Sequence, residues 1–179
     1  MNGFEQALAL TLRFEGGYAN DPSDPGGETY CGIARNRSRD WIGWLAVDAL
    51  KGEPDFPRCL ARDQLLQSDV RDFYRKRFWL RLACDQMPDS LASVVFDTAV
   101  HCGPERAARW FQAALSVEPD GVVGPKTLEA ARDYPAGPKG LARAVIEQRR
   151  IHYAVLGPWA DRFRKGWENR VSELETLLA

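Results

Sequence analysis

Apolar residues recur at spacings of three and four along most of this chain, and alternating runs are scarce, so the pattern predicts helices. Phe4, Leu8 and Thr11/Leu12 define one face of a helix over residues 2–15, with Asn2 placed to cap it. A second helix is predicted from Arg37 to about Leu50, carrying Trp41, Trp44, Leu45 and Asp48. Its tryptophans read first as core packing, with a sugar platform as the lesser alternative. The stretch from Gly52 to Pro57 holds two prolines and ends that helix. Asp63 is a good N-cap for a long helix reaching about Leu82, with Leu66, Val70, Phe73, Tyr74, Phe78 and Trp79 along its buried side. Arg75, Lys76, Arg77 and Arg81 make up its solvated face.

Pro88-Asp89 opens a helix from Ser90 to Cys102 that is apolar nearly all round, and it is therefore expected to be central. Gly103 closes it and Pro104 starts the next, over residues 104–115. A glycine-rich turn from Pro119 to Thr127 feeds a short helix to about Arg132. After a loop from Pro135 to Gly140, helices follow over Leu141–Leu156 and from Pro158 onward, the last one bearing Trp159, Phe163, Trp167, Val171 and Leu174. The chain is mainly α.

One stretch departs from this pattern. Glu15 to Ile33 reads EGGYANDPSDPGGETYCGI, with five glycines, two prolines and the carboxylates Glu15, Asp21, Asp24 and Glu28. Gly16-Gly17 stops a helix and leaves Glu15 on its last turn. Asp-Pro at 21–22 and 24–25, then Gly26-Gly27, folds the loop back, and Glu28–Ala34 fits a short extended turn or hairpin. An acid at a helix C-terminus sits at the negative end of the dipole, which disfavours its charged form. A carboxyl that keeps its proton near neutral pH is what glycoside hydrolysis needs to protonate the leaving oxygen. On these features alone, a solvated helix end before an ordinary loop is the commoner reading.

The word order adds to this. Glu15-Gly16-Gly17-Tyr18, Asp24-Pro25-Gly26-Gly27-Glu28-Thr29 and Gly32-Ile33 resemble the signature of the glycoside hydrolase 108 family of N-acetylmuramidases. More distantly, the run resembles the E-x8-D-x5-T arrangement of T4-type phage lysozymes, here with four residues between Asp24 and Thr29. Cys31 is a departure, since the family usually carries a bulky aromatic there. Farther on, Phe96-Asp97-x-Ala99-Val100, Gly103, Asp120-Gly121-x-x-Gly124-x-x-Thr127 and Phe163-x-Lys165-Gly166-Trp167-x-Asn169-Arg170 resemble the type 3 peptidoglycan-binding domain that follows such muramidases. His101 stands where that run usually has Asn, and a histidine at the end of a buried helix is more often a satisfied core residue than a catalyst. Asp97, in an apolar helix, must find a counter-charge or hydrogen-bond partners, and several arginines are available.

The resemblance implies a lysozyme-like helical fold with a short loop or β-hairpin at the active site, and a helical C-terminal region sharing the core. The expected domains are 1–90 and 91–179. It also implies cleavage of the β-1,4 bond between N-acetylmuramic acid and N-acetylglucosamine. Glu15 would be the general acid, Asp24 would orient a water or stabilise charge, and Thr29 would hold that water. Asp21 and Glu28 remain rivals of Asp24. Tyr18, Asp21, Glu28, Tyr30, Asp97 and His101 are the candidate substrate contacts. The alternatives are a non-catalytic peptidoglycan-binding or secretion-accessory protein, and another carbohydrate hydrolase of chitinase type.

Composition narrows the remaining classes. The 179 residues are 45% hydrophobic and 11% aromatic, which fits a globular chain. With 24 basic and 25 acidic residues the net charge is −1, which argues against nucleic acid as partner. Two histidines, His101 and His152, and cysteines at 31, 59, 84 and 102 with no short metal spacing make a zinc site improbable. No cofactor is expected, and the four thiols should be free. Met1 to Glu5 lacks the look of a signal peptide, and no apolar run reaches the roughly 18 residues of a membrane span. A monomer made in the cytosol, released to the cell wall by a separate holin or pore, is the expectation for an endolysin of this kind.

Overall fold

The glycine stop works as read. In a computed structural model describing residues 3–179, α1 (Gly3–Glu15) ends at the acid, and Gly16 turns the chain with φ of 75°. The cap expected from Asn2 lies outside the described residues. A three-stranded antiparallel sheet follows, in the order β1 (Tyr18–Ala19), β2 (Thr29–Tyr30), β3 (Ile33–Ala34). The hairpin expected within Glu28–Ala34 is β2–β3, and β1 adds a strand that period-2 patterning is too short to show.

α2 (Gly43–Leu50) begins at Gly43 rather than Arg37. Arg35–Arg37 makes a single 3-10 turn, and the Ser38 carbonyl then accepts from Trp44 Nε1 at 2.8 Å, so the chain bends before the helix starts. Trp41 and Trp44 are both buried, edge to face at 5.0 Å, and a Cβ on Gly43 would collide with the Trp41 ring. They are core residues, as the commoner reading had it. Asp63 caps α3 (Gln64–Tyr74) through Leu66 N–H at 2.7 Å. The long helix expected to Leu82 breaks into a π turn at Arg75–Trp79 and a 3-10 turn at Leu80–Leu82. One inserted residue in the π turn rotates everything after it, a shift that apolar spacing does not reveal.

The chain packs as two compact units: Leu8–Arg77, and Phe78–Ala179 joined by the start of α1. The packing break thus follows Arg77, ahead of the 90/91 boundary drawn from sequence. The reason lies in the turns Leu80–Leu82 and Cys84–Gln86, which pack on α5 (Pro104–Ala114) and α4 (Asp89–Cys102) respectively. α4 is buried along most of its length and also packs against α5 and α7 (Gly137–Val155). Phe4, Trp79 and Phe96 form an edge-to-face cluster with centroids 5.3–6.0 Å apart in the same unit. α6 (Pro125–Arg132) and α8 (Asp161–Thr176) complete it. Residues 137–140, expected as loop, already form the first turn of α7, with Pro138 tolerated there. Cys31, Cys59, Cys84 and Cys102 form no disulfide.

Candidate active site

Register fixes the turn that closes on Glu15. Tyr30 pairs with Ile33, so β2 and β3 are joined by two residues only, Cys31 and Gly32. Both take positive φ, 47° and 78°, the pattern of a type I′ hairpin turn. Cysteine is a strained choice at the first position. Tyr74 supports it from α3, its hydroxyl donating to the Cys31 carbonyl at 2.6 Å, while Cys31 N–H donates to the Gly17 carbonyl at 3.1 Å. A Cβ placed on Gly32 would lie 2.7 Å from Glu15 Oε2 and 2.8 Å from the Tyr74 hydroxyl. The acid, the tyrosine hydroxyl and a stretch of bare backbone therefore meet at one point. Glu15 itself is half-buried on the last turn of α1.

The loop between β1 and β2 is held by short polar contacts. Asp21 Oδ1 accepts from Ser23 N–H at 2.8 Å and from its hydroxyl at 2.7 Å, and these bonds hold the exposed Asp21 carboxyl below its ordinary pKa. Asp24 Oδ1 accepts from Gly26 N–H at 2.7 Å; Asp24 is exposed. Asn36 fastens the loop from the far side, its amide donating to the Pro25 carbonyl at 3.2 Å and its N–H to the Gly26 carbonyl at 3.1 Å. Thr29 is half-buried on β2 and its hydroxyl donates to the Gly27 carbonyl at 3.2 Å.

Glu28 has a different task. It is buried, with Oε2 2.6 Å from Arg35 Nε, and Oε1 2.9 Å from Lys51 Nζ and 2.8 Å from the Tyr18 hydroxyl. Burial alone would push its pKa up. The hydrogen bonds from Lys51 and Tyr18 and the Arg35 charge outweigh that, so Glu28 stays ionised below the ordinary range. Both of its oxygens are engaged, which makes it a brace for β2 and not a group open to substrate. Tyr18 is part of the same brace and packs edge to face on Phe56 at 4.7 Å. Tyr30 is buried, and its hydroxyl accepts from Gln67 at 2.8 Å; burial pushes its pKa up to about 12.

Asp97 and His101 belong to the other unit. Asp97 is buried between two arginines, with Oδ2 2.7 Å from Arg149 Nη1 and Oδ1 2.8 Å from Arg170 Nη2. Burial would raise its pKa, but the Arg170 and Arg149 charges hold it below the ordinary range. His101, half-buried, stacks edge-on with Tyr153 and Trp167 at 5.9 and 6.0 Å. Its pKa falls to about 3, first through burial and then through the two arginines, so it is neutral in ordinary buffers. Asp97, with both oxygens engaged by arginines, is not open to a sugar.

Sequence reasoning missed Tyr74, Asn36, Arg35 and Lys51 as supports of the loop. Lys51 carried no signal, being far from Glu28 in the chain; Tyr74 looked like any apolar helix position. Among the described residues, no three His, Cys, Asp or Glu side chains converge in a metal-holding group.

A half-buried acid on a helix end, a two-residue hairpin closing on it and a mainly helical frame define a lysozyme-like fold. The chain belongs to the glycosyl hydrolase 108 family, whose model matches residues 8–103. A second family model, described as a predicted peptidoglycan domain, matches residues 106–172. Among solved structures, SagA of Brucella abortus is similar, with 28% identity and a TM-score of 0.72 over 98% of this chain and 92% of that one. No curated protein matches. The order of the two families makes this a glycoside hydrolase that acts on peptidoglycan, with peptidoglycan as its binding partner.

Proposed function

We propose that the protein is an N-acetylmuramidase of endolysin type, which hydrolyses the β-1,4 bond between N-acetylmuramic acid and N-acetylglucosamine with Glu15 as general acid. The observation that carries this reading is the approach of the Glu15 carboxyl to the bare backbone of Gly32, inside the segment matched by the hydrolase family. A proton donor for a glycosidic oxygen must be reachable by a bulky substrate, and a side chain at Gly32 would crowd its Oε2.

Asp24 is the favoured second carboxylate. Its Oδ1 is fixed by Gly26 N–H, which leaves Oδ2 to accept a proton from a water. The Thr29 hydroxyl donates to Gly27 and keeps a lone pair for the same water. Asp21 stays in reserve as its rival, whereas Glu28 is committed to Arg35 and Lys51. A short acid that positions a water implies a single displacement with inversion, for which the two carboxyls stand roughly 6.5–9.5 Å apart. Resemblance to T4-type phage lysozymes supports the endolysin setting, in which a separate pore protein delivers the enzyme to the wall.

The test is turbidity loss of purified cell walls with mass analysis of the fragments. Reducing ends on muramic acid are expected, and Glu15→Gln should lower the rate on the order of 10² to 10⁴-fold with an unchanged circular dichroism spectrum. Near wild-type turnover in that variant would remove Glu15 from its role. Proton NMR of the first product should show the α-anomer before mutarotation.

A further inference from the structure

The unit from Phe78 to Ala179 carries a groove of about 570 Å3 lined by Arg81, Cys102, Glu105, Arg106, Arg109 and Trp110. Three arginines, from two segments of the chain, line it. Arg109 is already committed, 3.2 Å from Glu105 Oε1 and donating to the Pro119 carbonyl. Arg81 and Arg106 are exposed, and neither has a carboxylate partner among the described residues. Arg106 has only neutral company, His152 Nε2 at 3.4 Å and the half-buried Trp110 ring with its centroid at 5.9 Å. In a chain of net charge −1, two arginines without counter-charge in one groove are not a general basic surface.

The ligand follows from where charge sits in the wall polymer. The N-acetylhexosamine backbone is neutral, and its carboxylates hang from muramic acid on short peptide stems. Guanidinium groups recognise carboxylates through paired, charge-assisted hydrogen bonds, and an indole beside them accepts small apolar groups. We propose that this groove binds the carboxylate-bearing peptide stem of peptidoglycan, with Arg81 and Arg106 on its carboxylates and Trp110 against its alanyl methyl groups. The inference rests on the wall being the substrate, and it assigns stem recognition to this groove, apart from the glycan chemistry at Glu15.

Calorimetry on the full chain carrying Glu15→Gln tests it, because binding is then read without cleavage. The probes are a muramyl tripeptide with free stem carboxylates, its methyl ester, and chitotetraose. The tripeptide should bind about fivefold or more tightly than either probe lacking carboxylates, and the margin should shrink with added salt. Replacing both residues, Arg81→Ala with Arg106→Ala, should abolish the margin; the Gln pair serves if the Ala pair melts early. Equal affinity for tripeptide and ester, or a margin that survives in a folded double variant, overturns the proposal. Wall lysis by the wild-type chain reports separately on the muramidase reading: lysis without stem discrimination removes only the groove, and stem discrimination without lysis removes only the muramidase.

Discussion

Glu28 and Asp97 solve one problem in two ways. Each is a buried carboxylate held by two cations, Arg35 and Lys51 in one case, Arg149 and Arg170 in the other. The cations make the difference. Arg35 and Lys51 are 29% and 40% exposed, so only the acid is taken out of water. Arg149 and Arg170 are 0% and 5% exposed, so three charges lose their hydration together. The first arrangement fastens a loop beside the candidate acid at small energetic stake. The second ties α4 to α7 and α8, and its stability depends on every partner staying in place.

Removing Asp97 should therefore be the costliest change. Asp97→Ala leaves two guanidinium groups buried without their anion, and breaking such a set costs about 3–5 kcal/mol. Denaturant unfolding should show a destabilisation of that size, or no soluble protein at all. A loss below about 1 kcal/mol would mean that water reaches the arginines.

His101 sharpens the same contrast through pH. Its folded pKa is about 3, lowered by burial and by Arg149 and Arg170, against about 6.5 in an unfolded chain. Between those values the unfolded state takes up a proton that the folded state refuses, so stability falls as pH drops from about 6.5 towards 3. At pH 4 this should cost the wild type about 1–3 kcal/mol relative to its pH 7 value, a loss that His101→Asn avoids. Asp97 and Glu28, with lowered pKa values, also lose stability as pH falls below their unfolded values, but they do so in both proteins, so the difference between wild type and His101→Asn isolates the imidazole. Unfolding curves at the two pH values decide it, and equal losses in both proteins would show His101 to be solvated.

These contrasts also explain what the sequence could tell. Local signals were legible: the Gly16 stop after Glu15, the Asp63 cap, Pro104 at the start of α5. The need of Asp97 for a counter-charge was legible too, but not its partner. Arg149 lies on the buried face of α7 between Val145 and Tyr153, where an arginine breaks the apolar pattern. The bend at Ser38 was hidden because it depends on Trp44 Nε1 reaching back to a carbonyl. The support of Cys31 by Tyr74 spans 43 residues, and only the fold brings the two together. Trp159 kept the apolar spacing of α8 yet stands 61% exposed in a 3-10 turn, since spacing alone does not say where a helix begins.

Gly32 belongs to the loop side of the comparison. Gly32→Ala would force an L side chain to φ of 78° and set its Cβ 2.7 Å from Glu15 Oε2. The backbone cost is about 1–2 kcal/mol. Displacing the acid by a fraction of an ångström should lower lysis by up to about 10²-fold. A melting shift without loss of lysis would show that the acid tolerates the intrusion.

The smallest stability effect should come from Glu28→Gln. The amide keeps the shape and a hydrogen bond to Tyr18, and the two cations it releases already reach water. Arg35 also keeps Asp48, at 2.7 Å, and so does Lys51, at 2.7 Å. The loss should be below about 1 kcal/mol, the range of partly exposed pairs. Activity should respond more, because the loop carrying Asp21, Asp24 and Thr29 is anchored through β2, and small misplacements of a water-positioning group slow catalysis. We expect lysis to fall about tenfold with KM nearly unchanged, in line with an effect on the reacting geometry and not on wall binding. The stability of Glu28→Gln should also depend less on acid pH than the wild type, since the wild-type carboxylate contributes above its unfolded pKa and loses that contribution as pH falls through its lowered folded value. If Glu28→Gln instead unfolds as readily as Asp97→Ala, the two carboxylates carry the same load and the contrast between loop brace and core lock fails.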